Sequence, residues 1–253
     1  MTDTHGTFVW YELVTSDVQS AIAFYTNVIG WGSQQFQAGN PYVLWMAGSN
    51  SIGGVMALQD EQRKRNVPPH WFAHVAVDDV DACAKQAESL GGKIVTPPTD
   101  IPTVGRFSII ADPHGAFISL FKGSGSGPAM PTEVTNGRFS WHELMAGDRE
   151  AALDFYGKLF GWQKTDAVTS PMGTYQMYGK GGRTFGGMMN RPKDYPAPPH
   201  WLYYVNVADL DAALERVKPG GGKVLNGPME VPGGDRVAQC QDPQGAFFAL
   251  HGK

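Results

Sequence analysis

The chain has 253 residues, 24 acidic against 20 basic, for a net charge of −4. That length leaves room for one large domain or two ordinary ones, and 42% apolar with 11% aromatic residues is ample for packed cores. The balance and the lack of a Lys/Arg run speak against nucleic acid as a partner, and no apolar run approaches the roughly 20 residues of a membrane span.

In chain order, Phe8 to Val14 is rich in β-formers and reads as a strand. Asp17 stands at an N-cap position, and the spacing of Val18, Ala21, Ile22, Tyr25, Val28 and Ile29 predicts a helix that Gly30 ends. Tyr42 to Met46 and Ile52 to Met56 read as strands around the turn Gly48-Ser49-Asn50-Ser51, and Gln59 to Asn66 as a solvated connector. Phe72 to Val77 alternates as a strand, Asp79 caps a helix to Leu90, and Gly91-Gly92 ends it. Strands follow at Ile94-Val95, Phe107 to Ala111 and Phe117 to Phe121, the last entered by the turn Asp112-Pro113-His114-Gly115.

The same landmarks then return. Pro68-Pro69-His70-Trp71 recurs as Pro198-Pro199-His200-Trp201, Gly91-Gly92-Lys93 as Gly221-Gly222-Lys223, Arg106 as Arg236, and Gly115-Ala116-Phe117 as Gly245-Ala246-Phe247, all displaced by 130 residues. Trp10 answers to Trp141, Gly30-Trp31 to Gly161-Trp162, and Gly53-Gly54 to Gly186-Gly187. So many matches mean a duplicated unit. Each half carries β-α-β-β-β twice, and Lys122 to Arg138 has linker composition. The expected division is 1–124, a linker at 125–137, and 138–253. Met1 to Gly6 lacks the apolar core of a secretory leader, and Cys83 and Cys240 fall at non-equivalent places. They read as free thiols, so the expected location is the cytoplasm.

The strand, Asp-capped helix and Gly-Trp of Trp10 to Trp31 and Trp141 to Trp162, with the closing Asp-Pro-x-Gly-Ala-Phe turns, resemble the vicinal oxygen chelate superfamily. That superfamily includes glyoxalase I, bleomycin-resistance proteins and extradiol dioxygenases, and the likeness is greatest to a tandem glyoxalase-like subgroup. The resemblance implies an α+β fold: four βαβββ modules in two domains, each a curved mixed sheet around a cavity. It also implies metal donors at the first strand of a module and in its final strand. Those places here hold Trp10, Phe72, Trp141 and Leu202, and Ser119 and Ala249. None supplies the imidazole, carboxylate or thiolate a divalent cation needs, so no metal and no cofactor are expected.

Alternation along a strand puts Glu12 on the face of Trp10, His74 on that of Phe72, and Glu143 on that of Trp141, with Tyr204 at the place matching His74. Glu12 with His74, and Glu143 with Tyr204, are the expected catalytic pairs, partial burial lifting each carboxyl towards a useful pKa. His142 points to the opposite face, and His70, His200 and His114 read as packing or turn residues. Arg106 and Arg236 read as ion-pair residues or, alternatively, as a clamp for an anionic ligand. The expected ligand contacts are Trp10, Trp45, Met56, Phe72, Phe117, Ser119, Trp141, Met177, Met188 and Phe247, a lining that suits a small, flat, mainly hydrophobic ligand. The expectation is a metal-independent protein of lyase or isomerase type, monomeric or homodimeric. The alternatives are a non-catalytic drug- or metabolite-binding protein and a metal-dependent lyase or dioxygenase with shifted ligands.

Overall fold

The computed structural model describes residues 4–36, 42–125, 135–171, 173–195 and 197–253. Most of the expected linker, residues 126–134, lies outside them. The first half supplies β1 (Phe8–Thr15), α1 (Val18–Ile29), β2 (Gly32–Phe36), β3 (Tyr42–Ala47), β4 (Asn50–Ala57) and a short α2 (Asp60–Lys64). It continues with β5 (His70–Ala76), α3 (Val80–Ser89), β6 (Lys93–Ile101), β7 (Gly105–Ala111) and β8 (Phe117–Gly123). The second half gives β9 (Phe139–Ala146), α4 (Arg149–Phe160), β10 (Gln163–Ser170), β11 (Gly173–Lys180) and β12 (Arg183–Asn190). It closes with β13 (His200–Asn206), α5 (Leu210–Val217), β14 (Lys223–Glu230), β15 (Arg236–Gln241) and β16 (Phe247–Gly252). These form two eight-stranded mixed sheets, in the orders β2-β3-β4-β1-β5-β8-β7-β6 and β10-β11-β12-β9-β13-β16-β15-β14. The fold is α+β, as the sequence predicts.

Asp17, Asp79, Asp148 and Asp209 each accept a backbone N–H from the first helical turn, so the same cap starts α1, α3, α4 and α5. Gly30 and Gly161 end α1 and α4 at φ 88° and 76°, where a side chain would strain the backbone. Two elements depart from expectation. Gln59 to Asn66 contains α2, held by a capping box between Gln59 and Gln62. Gly32–Phe36 is a strand although its residues are mostly polar and all exposed; as a sheet edge it has no buried face to write an alternation.

By contacts the chain divides into two compact units. One comprises residues 1–9, 72–130 and 141–201, the other residues 10–71, 131–140 and 202–253. The second unit has an aromatic core of Tyr11, Tyr25, Trp31, Trp45, Trp71, Phe139 and Phe248. Within it, Trp71 Nε1 donates to the Tyr25 hydroxyl, which donates to buried Asp242. The first unit repeats the arrangement: Trp201 donates to Tyr156, and Tyr156 to Asp112. Each Asp also accepts the backbone N–H groups of its own Asp-Pro-x-Gly turn, so the repeated turn is a core fastening.

Candidate functional site

Glu12 and Trp10 share a face of β1. On the parallel neighbour β4 the residue in register with Glu12 is Gly54, and next to it on β3 is Leu44. Tyr42, two residues before Leu44, lies over the glycine: a Cβ at Gly54 would stand 2.0 Å from the Tyr42 hydroxyl. The missing side chain makes room for that ring, and the ring reaches across one strand to the carboxyl. Tyr42 donates to Glu12 Oε1 at 2.5 Å; Trp10 Nε1 donates to the tyrosine oxygen at 2.8 Å and lies 3.2 Å from the same carboxyl oxygen. Burial pushes the Glu12 pKa up to about 7, against the lowering effect of the two donors. The carboxyl therefore exchanges its proton near neutrality.

The other unit holds the same assembly. Glu143 on β9 is in register with Gly187 on β12, and Gly187 with Met177 on β11. A Cβ at Gly187 would meet the Tyr175 ring at 2.0 Å. Tyr175 donates to Glu143 Oε2 at 3.1 Å, and Trp141 Nε1 to the Tyr175 hydroxyl at 2.7 Å. The preceding glycines serve the backbone: a Cβ on Gly53 or Gly186 would meet the Tyr11 or His142 carbonyl oxygen at 2.4 or 1.8 Å. At Gly53 and Gly186 the missing side chain thus allows two backbones to approach closely. The open space beside them is filled by tyrosine.

Tyr42 and Tyr175 escaped the sequence reading. Their displacement of 133 residues equals that of the Gly-Gly pairs, which was the available signal. Among the expected site residues, Glu12 and Tyr204 belong to one compact unit, Glu143 and His74 to the other. His74 is buried beside Phe72, Phe107 and Phe121, ring centroids 5.2, 6.5 and 5.7 Å away. Burial drives its pKa down to about 3, which keeps the imidazole neutral and makes it a weak base at neutral pH. Ser119, in register with His74, is fully buried. Tyr204, opposite Ala249, accepts a hydrogen bond from Gln239 at 3.3 Å. Met56, Met177 and Phe247 are half-buried, whereas Phe117 is 51% exposed.

Two expected contacts sit elsewhere. Trp45 is fully buried against Tyr25, Trp31 and Trp71 in the aromatic core, because alternation sends it to the face opposite Tyr42. Met188 is fully buried and pairs with Leu144, a step away from Gly187 and so on the reverse face from Glu143. His142 stacks on Phe8 at 3.7 Å with Nδ1 on the Phe185 carbonyl, also on that reverse face. Arg106 and Arg236 form ion pairs with Asp81 and Asp211, and His70 and His200 bond the Pro68 and Pro198 carbonyls. No group of three or more His, Cys, Asp or Glu among the described residues could hold a metal ion. The donor set does not fit a divalent cation. Among the described residues no helix is long and apolar enough to cross a membrane.

A model of the Glyoxalase/Bleomycin resistance protein/Dioxygenase superfamily matches residues 7–120 and 138–250. The protein of Mycobacterium bovis named "Putative glyoxylase CFP32" is 32% identical over 248 residues, covering 97% of this chain and 94% of that one. "Anthracycline biosynthesis protein DnrV" of Streptomyces peucetius is 28% identical over 263 residues, covering 97% and 92%. Among solved structures, the Mn(II)-bound glyoxalase from Novosphingobium aromaticivorans superposes with a TM-score of 0.63 at 16% identity, over 98% of this chain and 82% of that one. The 2,2',3-trihydroxybiphenyl 1,2-dioxygenase from Sphingomonas wittichii gives 0.66 at 16%, over 99% and 90%. At such identities the structural likeness is one of fold.

Proposed function

Because the chain belongs to the Glyoxalase/Bleomycin resistance protein/Dioxygenase superfamily, we propose that it binds a small hydrophobic or aromatic metabolite and moves a proton on it without a metal, in a lyase- or isomerase-type reaction. The observation that carries this reading is the Glu12 carboxyl, held by Tyr42 and Trp10 and brought by burial to a pKa of about 7. A general acid–base is most effective when its pKa lies near the working pH. Glu12 takes the proton from carbon or oxygen of the ligand, and Tyr42 supports the carboxylate. Glu143 with Tyr175 is the equivalent group of the other unit.

The Streptomyces peucetius relative is named for anthracycline biosynthesis, which makes an anthracycline the first probe for a flat aromatic ligand. Protein dialysed against chelator is titrated with an anthracycline, and the ligand is followed for chemical change. Turnover that Glu12→Gln lowers about 100-fold or more, with binding retained, is the expected result. Activity that appears only with one equivalent of Zn, Ni, Fe or Mn would reject the mechanism. The second reading, a binding protein without turnover, draws on the half-buried apolar residues Met56, Met177 and Phe247. It predicts ligand retention with affinity unchanged in Glu12→Gln and Glu143→Gln.

A further inference from the structure

One unit contains a hydrogen-bonded Ser–His–Asp chain that the reading above does not use. Ser140, in β9, lies with its Oγ 2.9 Å from His251 Nδ1 in β16, and His251 Nε2 lies 3.1 Å from Asp235 Oδ2. Asp235 belongs to the turn between β14 and β15, where its own carbonyl accepts the Val231 N–H. The three residues thus come from three separate segments of one compact unit. The carboxylate can only accept, so it takes the Nε2–H and leaves Nδ1 as the lone-pair nitrogen towards the serine hydroxyl. That is the order of nucleophile, base and orienting carboxylate that activates a serine, with the two ring nitrogens exchanged relative to the usual arrangement. The side chains of His251 and Asp235 are 21% and 37% exposed, so the chain opens to solvent.

The duplication supplies an internal control. The places of Ser140, His251 and Asp235 are held in the first half by Val9 and Phe121, in the matching strands β1 and β8, and by Gly105, the first residue of β7. The fold therefore forms without a polar relay there, and the relay calls for another explanation than folding. We propose that Ser140, His251 and Asp235 form a second, hydrolytic site that acts on small activated carboxylic esters. The Ser140 oxygen bonds to the acyl carbon as its proton passes to His251 Nδ1, and Asp235 stabilises the imidazolium. The bond from carbon to the leaving oxygen then breaks, and that oxygen takes the proton from Nδ1. Water attacks the acyl-serine, gives its proton through Nδ1 to the departing Oγ, and the acid is released.

The test uses the whole chain with p-nitrophenyl acetate and a fluorophosphonate probe, followed by peptide mapping. The expected result is phosphonylation at Ser140 and ester hydrolysis that falls about 100-fold or more in Ser140→Ala. His251→Phe and Ser140→Val install residues the first half already accommodates, so both variants should keep the wild-type melting temperature while losing labelling. Asp235→Asn, which keeps a group able to orient the imidazole but removes its charge, should retain part of the activity. Labelling at Ser140 no greater than in heat-unfolded protein, or hydrolysis unchanged in Ser140→Ala, would overturn the proposal. Neither outcome depends on Glu12, so this site stands or falls separately from the proton-transfer reading.

Discussion

The Trp10–Glu12–Tyr42 assembly of one unit and the Trp141–Glu143–Tyr175 assembly of the other are built on the same plan. In both, a glycine in register with the glutamate vacates the space that a tyrosine from the next strand fills. They differ in tightness. Tyr42 reaches its carboxyl oxygen at 2.5 Å, and Trp10 lies within 3.2 Å of the same atom; Tyr175 stands 3.1 Å from its partner. Tyr195, whose pKa is raised by burial and by the Glu143 charge, stands where the first half has Arg65. Duplication preserved the scaffold of the two carboxyls and let their surroundings diverge, so matching substitutions in the two halves should have unequal effects.

The largest effect should come from the glycines that serve the backbone. Gly186→Ala places a methyl 1.8 Å from the His142 carbonyl and forces β9 and β12 apart, whereas at Gly53 the distance is 2.4 Å. We expect a stability loss of about 3 kcal/mol for Gly186→Ala and somewhat less for Gly53→Ala, measured by chemical denaturation. Gly54→Ala and Gly187→Ala press instead on a tyrosine ring that can swing away, and should cost about 1 kcal/mol while uncoupling the tyrosine from its glutamate. Equal losses at Gly186 and Gly187 would show that the tyrosine is no freer to move than the strand.

The next effect is a pH dependence. The folded chain holds the Glu12 proton to about pH 7, against the ordinary carboxyl value of 4.5. The native state therefore binds more protons than the unfolded one across that window, and stability falls as pH rises through it, by up to about 3 kcal/mol. Glu12→Gln should remove this loss. His74 and His142, both pushed down to about 3 by burial, act in the opposite sense. There the unfolded state binds the proton first, so stability is lost as pH falls from 6.5 towards 3. A Glu12→Gln variant whose stability still declines between pH 4.5 and 7 would contradict the assignment.

The repeat, the caps and the α+β order are legible in the sequence because each rests on local chemistry: Asp17 and Asp79 before helical spacing, Gly30 after it, and matching turns 130 residues apart. The face of each glutamate is legible too, since alternation is a property of one strand. What could not be read is how neighbouring strands register. That decides why Trp45 and Met188 fall to the core face, and why Tyr42 rather than His74 supplies the donor to Glu12. β2 was missed for a related reason, a polar edge strand being defined by its partner and not by its own pattern.

The two tyrosines give a smaller and sharper contrast. A hydroxyl donating to a carboxylate is worth about 1.5 to 3 kcal/mol when short and well aligned, and less when stretched. Tyr42→Phe should therefore cost more stability than Tyr175→Phe. Because the lost bond favours the charged form, Tyr42→Phe should also carry the Glu12 pKa above about 7 and cost more at pH 8 than at pH 5.

Trp10→Phe should have the smallest effect in the set. The indole N–H acts on Glu12 across 3.2 Å and on the Tyr42 oxygen at 2.8 Å, and its influence on the carboxyl is the weakest of the three named causes. Phenylalanine keeps most of the apolar cover while deleting the donor, so burial of the carboxyl persists. The Glu12 pKa, followed by carboxyl-carbon NMR against pH, should rise by less than in Tyr42→Phe. A larger rise would mean that the indole acts by controlling water access to the carboxyl, with its hydrogen bond secondary. Trp141→Phe is the matched control: its indole donates to Tyr175 at 2.7 Å, so the loss there should reach Glu143 through the tyrosine.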